Sequence, residues 1–161
     1  MHSVFLLLGS NQGDREVLLK EAVNNIVNRV GKVGNISSIY ESEPWGFDAE
    51  VAFLNQIIEV QTTLCATKVL SEVLMIESDM GRIRKSKNYE SRVIDIDILF
   101  FDTDVINTAD LIVPHPRLHE RMFTLMPLLE MDSLMPHPVL NKTIQELVDV
   151  CTDKLKVEKY S

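Results

Sequence analysis

The segment from Val93 to Phe101 constrains the fold more than any other part of the chain. It reads VIDIDILFF, and successive side chains of a β-strand point to opposite faces of a sheet. Its three isoleucines therefore face an apolar core, while Asp95 and Asp97 share the other face, about 7 Å apart along the strand. The segment predicts a sheet that carries two neighbouring carboxylates on one face.

Apolar spacing and turn residues predict the elements around this strand. Strands are predicted at 3–8, 33–40, 53–63 and 93–101, with a short one at 105–106. Helices are predicted at 14–30, 67–80, 119–130 and 143–151. Gly31 is expected to end the first helix, Thr67 to cap the second and Gly81 to end it, while Thr143 and Glu146 form a capping box before the last.

The resulting order is β-α-β-β-α-β with a helical tail. This order is typical of the ferredoxin-like α+β sandwich, in which helices cover a largely antiparallel sheet. The chain has 161 residues, which favours one domain over residues 1–161, and neither an internal repeat nor a linker interrupts it.

Charge and cysteine content narrow the classes of protein. The chain carries 16 Lys and Arg against 24 Asp and Glu, a net charge of −8, which disfavours broad nucleic-acid binding. No signal peptide is visible, and no apolar run approaches the roughly 20 residues that span a bilayer. Cys65 and Cys151 have no CxxC spacing, so we expect two free thiols in a soluble, cytoplasmic protein that binds neither nucleic acid nor membrane.

The basic residues concentrate in one place. Five cations lie within eleven residues just before the two aspartates: Arg82, Arg84, Lys85, Lys87 and Arg92. Residues 82–91 have almost no apolar side chains, so we expect a mobile loop. Cations that bind phosphate oxygens, next to carboxylates that bind Mg²⁺, are the groups that phosphoryl transfer needs. The cluster therefore predicts a site for a nucleotide polyphosphate with Mg²⁺.

Other interpretations remain open at this level. The aspartates could belong to a solvated edge strand and the cations to a solvated loop. The turn from Gly9 to Gly13 lacks the lysine of a P-loop, and His115 and His119 lack the HExxH zinc pattern. A ferredoxin-like RNA-binding module is disfavoured by the acidic charge. A Mg²⁺-dependent phosphoryl or nucleotidyl transferase that acts on another small heterocyclic alcohol is the main alternative.

Several motifs, taken in order, resemble the 6-hydroxymethyl-7,8-dihydropterin pyrophosphokinase family of folate biosynthesis. They extend over most of the chain: Gly9-Ser10-Asn11, Tyr40-x-Ser42-x-Pro44-Trp45-Gly46, Phe53-Leu54-Asn55, Glu77, Gly81-Arg82-x-Arg84, Arg92-x-x-Asp95-x-Asp97-Ile98-Leu99, and Pro114-His115-Pro116-Arg117-Leu118-x-x-Arg121-x-Phe123. The resemblance implies an ATP-dependent pyrophosphokinase with mobile active-site loops. Its substrates would be ATP and the dihydropterin, with no obligate protein partner.

The resemblance also implies residue roles on the ATP side. Asp95 and Asp97 would bind two Mg²⁺ ions that bridge the phosphates, and Arg82 and Arg92 would be catalytic by neutralising phosphate charge. The remaining ATP contacts would be Glu77, Arg84, Tyr89, Ile98, His115 and Arg121. Glu90 and Ser91 depart from the family's usual pattern, as do Asp110 and Ile112, so no ATP contact is carried over to the segment of the last two.

On the pterin side, the resemblance implies that Phe53 and Phe123 enclose the ring. Asn55 would pair with its amide-like edge. The segment from Ser42 to Gly46, which includes Pro44 and Trp45, would complete the recognition. The implied reaction moves the β,γ-pyrophosphoryl group of MgATP to the hydroxymethyl oxygen of the pterin, with AMP leaving.

Overall fold

The computed structural model describes residues 1–43, 52–82 and 93–161, and only the backbone of Arg82. Five of the predicted site residues lie outside the described residues: Pro44, Trp45, Arg84, Tyr89 and Arg92. The predicted mobile loop at 82–91 also lies there, apart from the Arg82 backbone.

The described residues contain eight strands and four α-helices. The strands are β1 His2–Ser10, β2 Lys32–Ile36, β3 Tyr40–Ser42, β4 Phe53–Thr62, β5 Asp95–Phe101, β6 Ile106–Asn107, β7 Ile112–Val113 and β8 Val157–Lys159. The helices are α1 Arg15–Arg29, α2 Ala66–Arg82, α3 Met122–Met131 and α4 Ile144–Val150, and a 3₁₀ turn, Leu118–Glu120, precedes α3.

The main sheet is antiparallel throughout and has the order β5-β1-β4-β3-β8, with β2 paired to β4 beside β3. β1 and β4 are its two central strands, and β5 and β8 lie at its edges. This antiparallel sheet, with helices on it, confirms the predicted ferredoxin-like α+β class.

Two apolar cores lie on the two faces of this sheet. Alternate residues of β1, including Leu6 and Leu8, pack with α1 and α2, whereas Leu7 packs with α3 and α4 on the other face. Leu99 is an extra residue in β5, because Ile98 pairs with Leu6 while Phe100 pairs with Phe5. Leu99 and Phe100 therefore both join the core beneath α3 and α4.

The first helix forms as the sequence predicts. The Asp14 side chain accepts a hydrogen bond from the N–H of Val17 at 3.3 Å and caps α1. Gly31 follows the helix where the chain passes β4 so closely that a Cβ on it would lie 2.1 Å from the carbonyl oxygen of Gln61. A side chain there would displace the backbone, so Gly31 is required by contact with the sheet.

Several predicted boundaries are wrong. α2 begins at Ala66, so Thr67 lies inside the helix, and it continues through Gly81 to Arg82. The strand predicted at 33–40 is two strands, since Ser37 interrupts it by bonding to Ile57 of β4 through both its N–H and its hydroxyl. The helix predicted from 119 begins at Met122.

The end of the chain also differs from the prediction. The predicted helical tail does not end the fold, because β8 returns to the sheet. The capping box of α4 is confirmed. Both cysteines are free thiols, as predicted. Among the described residues, no helix combines the length and the apolar character needed to cross a bilayer.

Candidate active site

A cavity of about 230 Å³ opens on the sheet face that carries α3. Its floor follows the strand register, because Asp95 of β5, Gly9 of β1 and Asn55 of β4 are direct neighbours across three adjacent strands. Asp97 and Leu7 form the next row of this floor. The carboxylates predicted from alternation therefore line a cavity together with the predicted amide.

Hydrogen bonding fixes the amide side of this cavity. Asn55 is buried, and its Nδ2 donates to Oγ of Ser42 on β3 at 2.9 Å. Gly9 lies directly beside Asn55 on the same face, so its missing side chain leaves room for the amide. One amide hydrogen is thus committed to the protein, and the carbonyl and the other hydrogen remain for an edge with one donor and one acceptor.

The first turn of α3 supplies the opposite wall. Phe123 and Arg121 line the cavity, with Phe53 at its β4 side. The guanidinium carbon of Arg121 lies 5.4 Å from the centre of the Phe123 ring, within the range of a cation-π contact. Two aromatic rings and one cation therefore share the space with Asp95 and Asp97.

Glu130 near the end of α3 ties that helix to the sheet. Its carboxylate accepts hydrogen bonds from the Tyr40 hydroxyl at 2.8 Å and from the N–H and hydroxyl of Ser38. Burial, and then the bond to Glu130, raises the pKa of Tyr40. Burial alone would raise the pKa of Glu130, but the bonds from Tyr40 and Ser38 outweigh it and lower that pKa.

A second cavity, of about 320 Å³, lies at the free edge of β5. Glu77 of α2 reaches this edge and accepts a hydrogen bond from the N–H of Ile96 at 2.7 Å. Alternate residues of a strand direct their main-chain groups to the same side, so the N–H and C=O of Ile98 also point to this edge. Ile98 lines the cavity together with Leu70 and Leu74, so apolar side chains lie beside the outward main-chain groups of β5.

His115 also lines this second cavity. The backbone N–H of His115 donates to the carbonyl oxygen of Leu99 at 3.0 Å, and its ring Nδ1 accepts the backbone N–H of Arg117 at 3.1 Å. Burial is the largest influence on its pKa and lowers it. Asp97 acts in the opposite direction, and Arg121 and Arg117 lower it again, so the net pKa lies below its usual range. Because Nδ1 accepts the N–H of Arg117, a neutral ring carries its proton on Nε2 and can donate there.

Asp97 lines both cavities and marks their junction. Asp95, Asp97 and Arg121 put two hard oxygen ligands and a cation at one end of the first cavity. In the described parts of the chain no three His, Cys, Asp or Glu side chains converge as a metal site. Mg²⁺ keeps several waters and is held by one or two carboxylates with substrate phosphates, so this pair fits Mg²⁺ at a nucleotide site.

The structure thus brings the predicted site residues whose side chains are described to two adjoining cavities, while the backbone of Arg82 lies at the end of α2. Ser42, Phe53, Asn55, Asp95, Asp97, Arg121 and Phe123 line the first, and Glu77, Asp97, Ile98 and His115 line the second. Sequence reasoning missed Leu7 and Gly9 in the first cavity, whereas Glu43, which also lines it, lies within the predicted segment from Ser42 to Gly46. It also assigned no ATP contact to Asp110 and Ile112, which line the second cavity. The strand register of β1 against β5 is the signal that would have indicated Leu7 and Gly9.

Paired carboxylates at two adjoining cavities, with aromatic rings and a cation beside them, are typical of an enzyme that transfers a phosphate-containing group between two small molecules. A family model described as 7,8-dihydro-6-hydroxymethylpterin-pyrophosphokinase (HPPK) matches residues 5–133. The 2-amino-4-hydroxy-6-hydroxymethyldihydropteridine pyrophosphokinase of Bacillus subtilis is 38% identical over 158 residues, which is 97% of this chain and 94% of that protein. The chain belongs to the HPPK family, and it is an ATP-dependent pyrophosphokinase of folate biosynthesis.

Longer relatives contain a similar segment. The folic acid synthesis protein fol1 of Pneumocystis carinii is 37% identical over 151 residues, covering 94% of this chain and 20% of that protein. A crystal structure of wild-type HPPK-DHPS from Plasmodium falciparum superposes with a TM-score of 0.71 and 21% identity over 92% of this chain. This chain spans 43% of that solved chain, and the similarity supports the fold.

Proposed function

We propose that this chain transfers the β,γ-pyrophosphoryl group of ATP to the hydroxymethyl oxygen of 6-hydroxymethyl-7,8-dihydropterin, with AMP as the leaving group. The observation that carries the proposal is the position of Asp97 on both cavities. A heterocycle in one cavity and a nucleotide in the other would then meet at the paired carboxylates. We further propose that the 161 residues act as one domain, in the cytoplasm, without an obligate protein partner.

The first cavity suits the pterin. Phe53 and Phe123 offer two ring surfaces to a flat heterocycle. Asn55, held by Ser42, offers one donor and one acceptor to the edge of the ring. Pro44 and Trp45 are assigned to the same substrate from the family resemblance. The hydroxymethyl group of a ring bound in this way would point toward Asp95 and Asp97.

The second cavity suits the nucleotide. The outward N–H and C=O of Ile98 can pair with an adenine edge in the manner of a strand partner. The Nε2–H of His115 and the guanidinium of Arg121 would donate to phosphate oxygens. Glu77 keeps the β5 edge in place through Ile96. Arg82, Arg84, Tyr89 and Arg92 are assigned to the phosphates and base from the family resemblance.

Asp95 and Asp97 would hold two Mg²⁺ ions. Bound Mg²⁺ supplies charge neutralisation and orients the phosphates for displacement at the β-phosphorus. Arg82 and Arg92 would stabilise the charge that develops on the equatorial oxygens. Closing both cavities around the substrates would exclude water as a competing acceptor. We assign no general base.

The product identifies the reaction. The protein is incubated with MgATP and the dihydropterin, and AMP and ADP are separated and measured. We expect AMP in amounts equal to the pterin diphosphate, and no AMP with a 6-methyl-7,8-dihydropterin, which lacks the accepting hydroxyl. ADP formation would support the alternative of an ordinary phosphoryl transferase, and no turnover would overturn the proposal.

A further inference from the structure

The end of the chain completes the wall of the first cavity. β8 lies outside residues 5–133, the part that the family model matches, and pairs with β3. β3 has only three residues, and it contributes Ser42, whose hydroxyl accepts the hydrogen bond of Asn55. Without β8, this short strand would pair with β4 alone among the described strands.

Main-chain hydrogen bonds extend this pairing at both ends. The N–H of Glu43 donates to Lys156 O at 3.3 Å, and the N–H of Lys156 donates to Oε1 of Glu43 at 3.0 Å. Beyond β3, the N–H of Tyr160 donates to Ile39 O at 2.9 Å. The cavity residue Glu43 is therefore fixed by both its backbone and its carboxylate to the C-terminal strand.

A side chain of α1 also contacts β3. Arg15 Nη1 donates to Glu41 of β3 at 3.0 Å and to the carbonyl oxygen of Ala52 at 2.8 Å. The same guanidinium lies 5.6 Å from the ring centre of Tyr160, which follows β8. Since Ala52 directly precedes β4, these contacts join β8, β3 and the start of β4 into one unit.

We propose that β8 is a positioning element for the pterin, because it holds Ser42 and Glu43 in the orientation in which the Asn55 amide meets the heterocycle. The inference rests on the proposed function, since it concerns the pterin side of that site. β8 is distant from the nucleotide cavity, whose described walls come from α2, β5 and the segment 109–116. Disrupting β8 should therefore weaken binding of the pterin and leave binding of ATP unchanged.

Strand geometry provides a matched pair of variants. The N–H groups of Lys156 and Tyr160 both point toward β3 and its flanking residues. Main-chain groups alternate in direction along a strand, so the N–H of Glu158 also points to β3, whereas that of Lys159 points away. Both side chains are exposed. Proline removes the N–H, so E158P breaks the pairing, while K159P makes the same substitution one residue later without losing a bond to β3.

Equilibrium binding and steady-state kinetics test the proposal. We expect E158P to weaken pterin binding and raise the pterin KM roughly three- to tenfold, the loss of about one hydrogen bond, with the KM for ATP and kcat at saturating pterin unchanged. K159P should match the unaltered protein. K156P, at the end of the ladder, is expected to behave like E158P, and it replaces E158P if thermal melting shows that E158P does not fold.

The controls separate this inference from the proposed function. If the unaltered protein neither binds nor converts the dihydropterin, the proposed function fails. If it does both, but E158P and K156P behave like K159P, β8 has no positioning role. Equal loss of ATP-analogue and pterin binding in E158P and K156P would also overturn the inference, because it would indicate a general structural role.

Discussion

Gly9 of β1 lies directly opposite Asn55 of β4, and a Cβ built on Gly9 would lie 3.1 Å from the amide oxygen of Asn55. That distance is shorter than an ordinary van der Waals contact, so a methyl group here forces the amide to move. The displacement would strain the bond from Asn55 to Ser42 at the proposed pterin edge.

The substitution Gly9→Ala is therefore expected to raise the pterin KM by roughly three- to tenfold, which corresponds to about one hydrogen bond. The KM for ATP should change little. Gly34→Ala is the matched control, because the nearest atom to its Cβ is Glu59 O at 3.7 Å, an ordinary contact. A pterin KM that stays the same in Gly9→Ala would show that the amide does not need this space.

Removing the Asn55 amide tests the same edge directly. Asn55→Ala should cost about 1 to 3 kcal/mol in pterin binding, measured by titration, because the polar edge of a buried heterocycle is left unpaired. Asn35→Ala removes an exposed amide that bonds to Glu59, and it should leave binding of both substrates unchanged. Equal weakening of ATP and pterin binding in Asn55→Ala would point to a folding defect.

The carboxylate pair should decide the metal dependence. Asp95→Asn and Asp97→Asn keep the size of the side chain but remove a negative ligand, so turnover at limiting Mg²⁺ should fall by at least about 100-fold. The melting temperature should stay close to that of the unaltered protein. Asp104→Asn, in the exposed turn after β5, is the control. Near-normal turnover in either variant excludes that aspartate as a ligand.

Arg82 tests the charge stabilisation proposed for the transition state. Arg82→Ala should lower kcat by about 100-fold while changing ATP affinity much less, since the contact is expected to tighten as the phosphate charge redistributes. Rapid-quench measurement of AMP formation reports the loss in kcat, and a separate equilibrium titration with ATP reports the change in affinity. Lys20→Ala, an exposed cation on α1, should change neither. A loss confined to ATP affinity would assign Arg82 to binding alone.

Tyr40 gives a prediction about stability and pH. Tyr40→Phe should lower the free energy of unfolding by about 1 kcal/mol at neutral pH through loss of the bond to Glu130. Because the folded pKa of Tyr40 is raised, its stabilisation is present below about pH 10 and is lost as pH rises further. Urea unfolding at neutral and alkaline pH should therefore show a steeper alkaline loss in the unaltered protein than in Tyr40→Phe. Parallel curves would contradict the prediction.

Local pattern was enough for the elements that alternate or repeat regularly. β5 and its two aspartates follow from the period of two in residues 93–101, and α1 follows from its apolar spacing and the glycine after it. The division of the 33–40 strand could not be predicted, because it depends on bonds between Ser37 and Ile57, which is 20 residues away. Gly81 remains helical although glycine usually ends a helix, which no local rule indicates.

The site followed the same division. Alternation within one strand predicts that Asp95 and Asp97 share a face, and both line the first cavity. The bonds that fix Glu43 to a strand more than 100 residues later depend on the tertiary fold. β8 itself is three residues with two exposed charges, so its sequence gives no apolar alternation to detect. Contacts between short strands that are distant in the chain could therefore not be predicted from the sequence.

α3 and α4 pack on the sheet face that carries the first cavity, and Arg121 and Phe123 at the start of α3 line that cavity. One wall of the cavity is therefore built at the start of a single short helix, while α1 and α2 pack against the opposite face of the sheet. In engineering terms, the proposed acceptor site can be altered on one face while the core on the other face is left intact. Arg121 and Phe123 are the positions at which acceptor choice should be altered first, because changes there leave the core beneath α1 and α2 untouched.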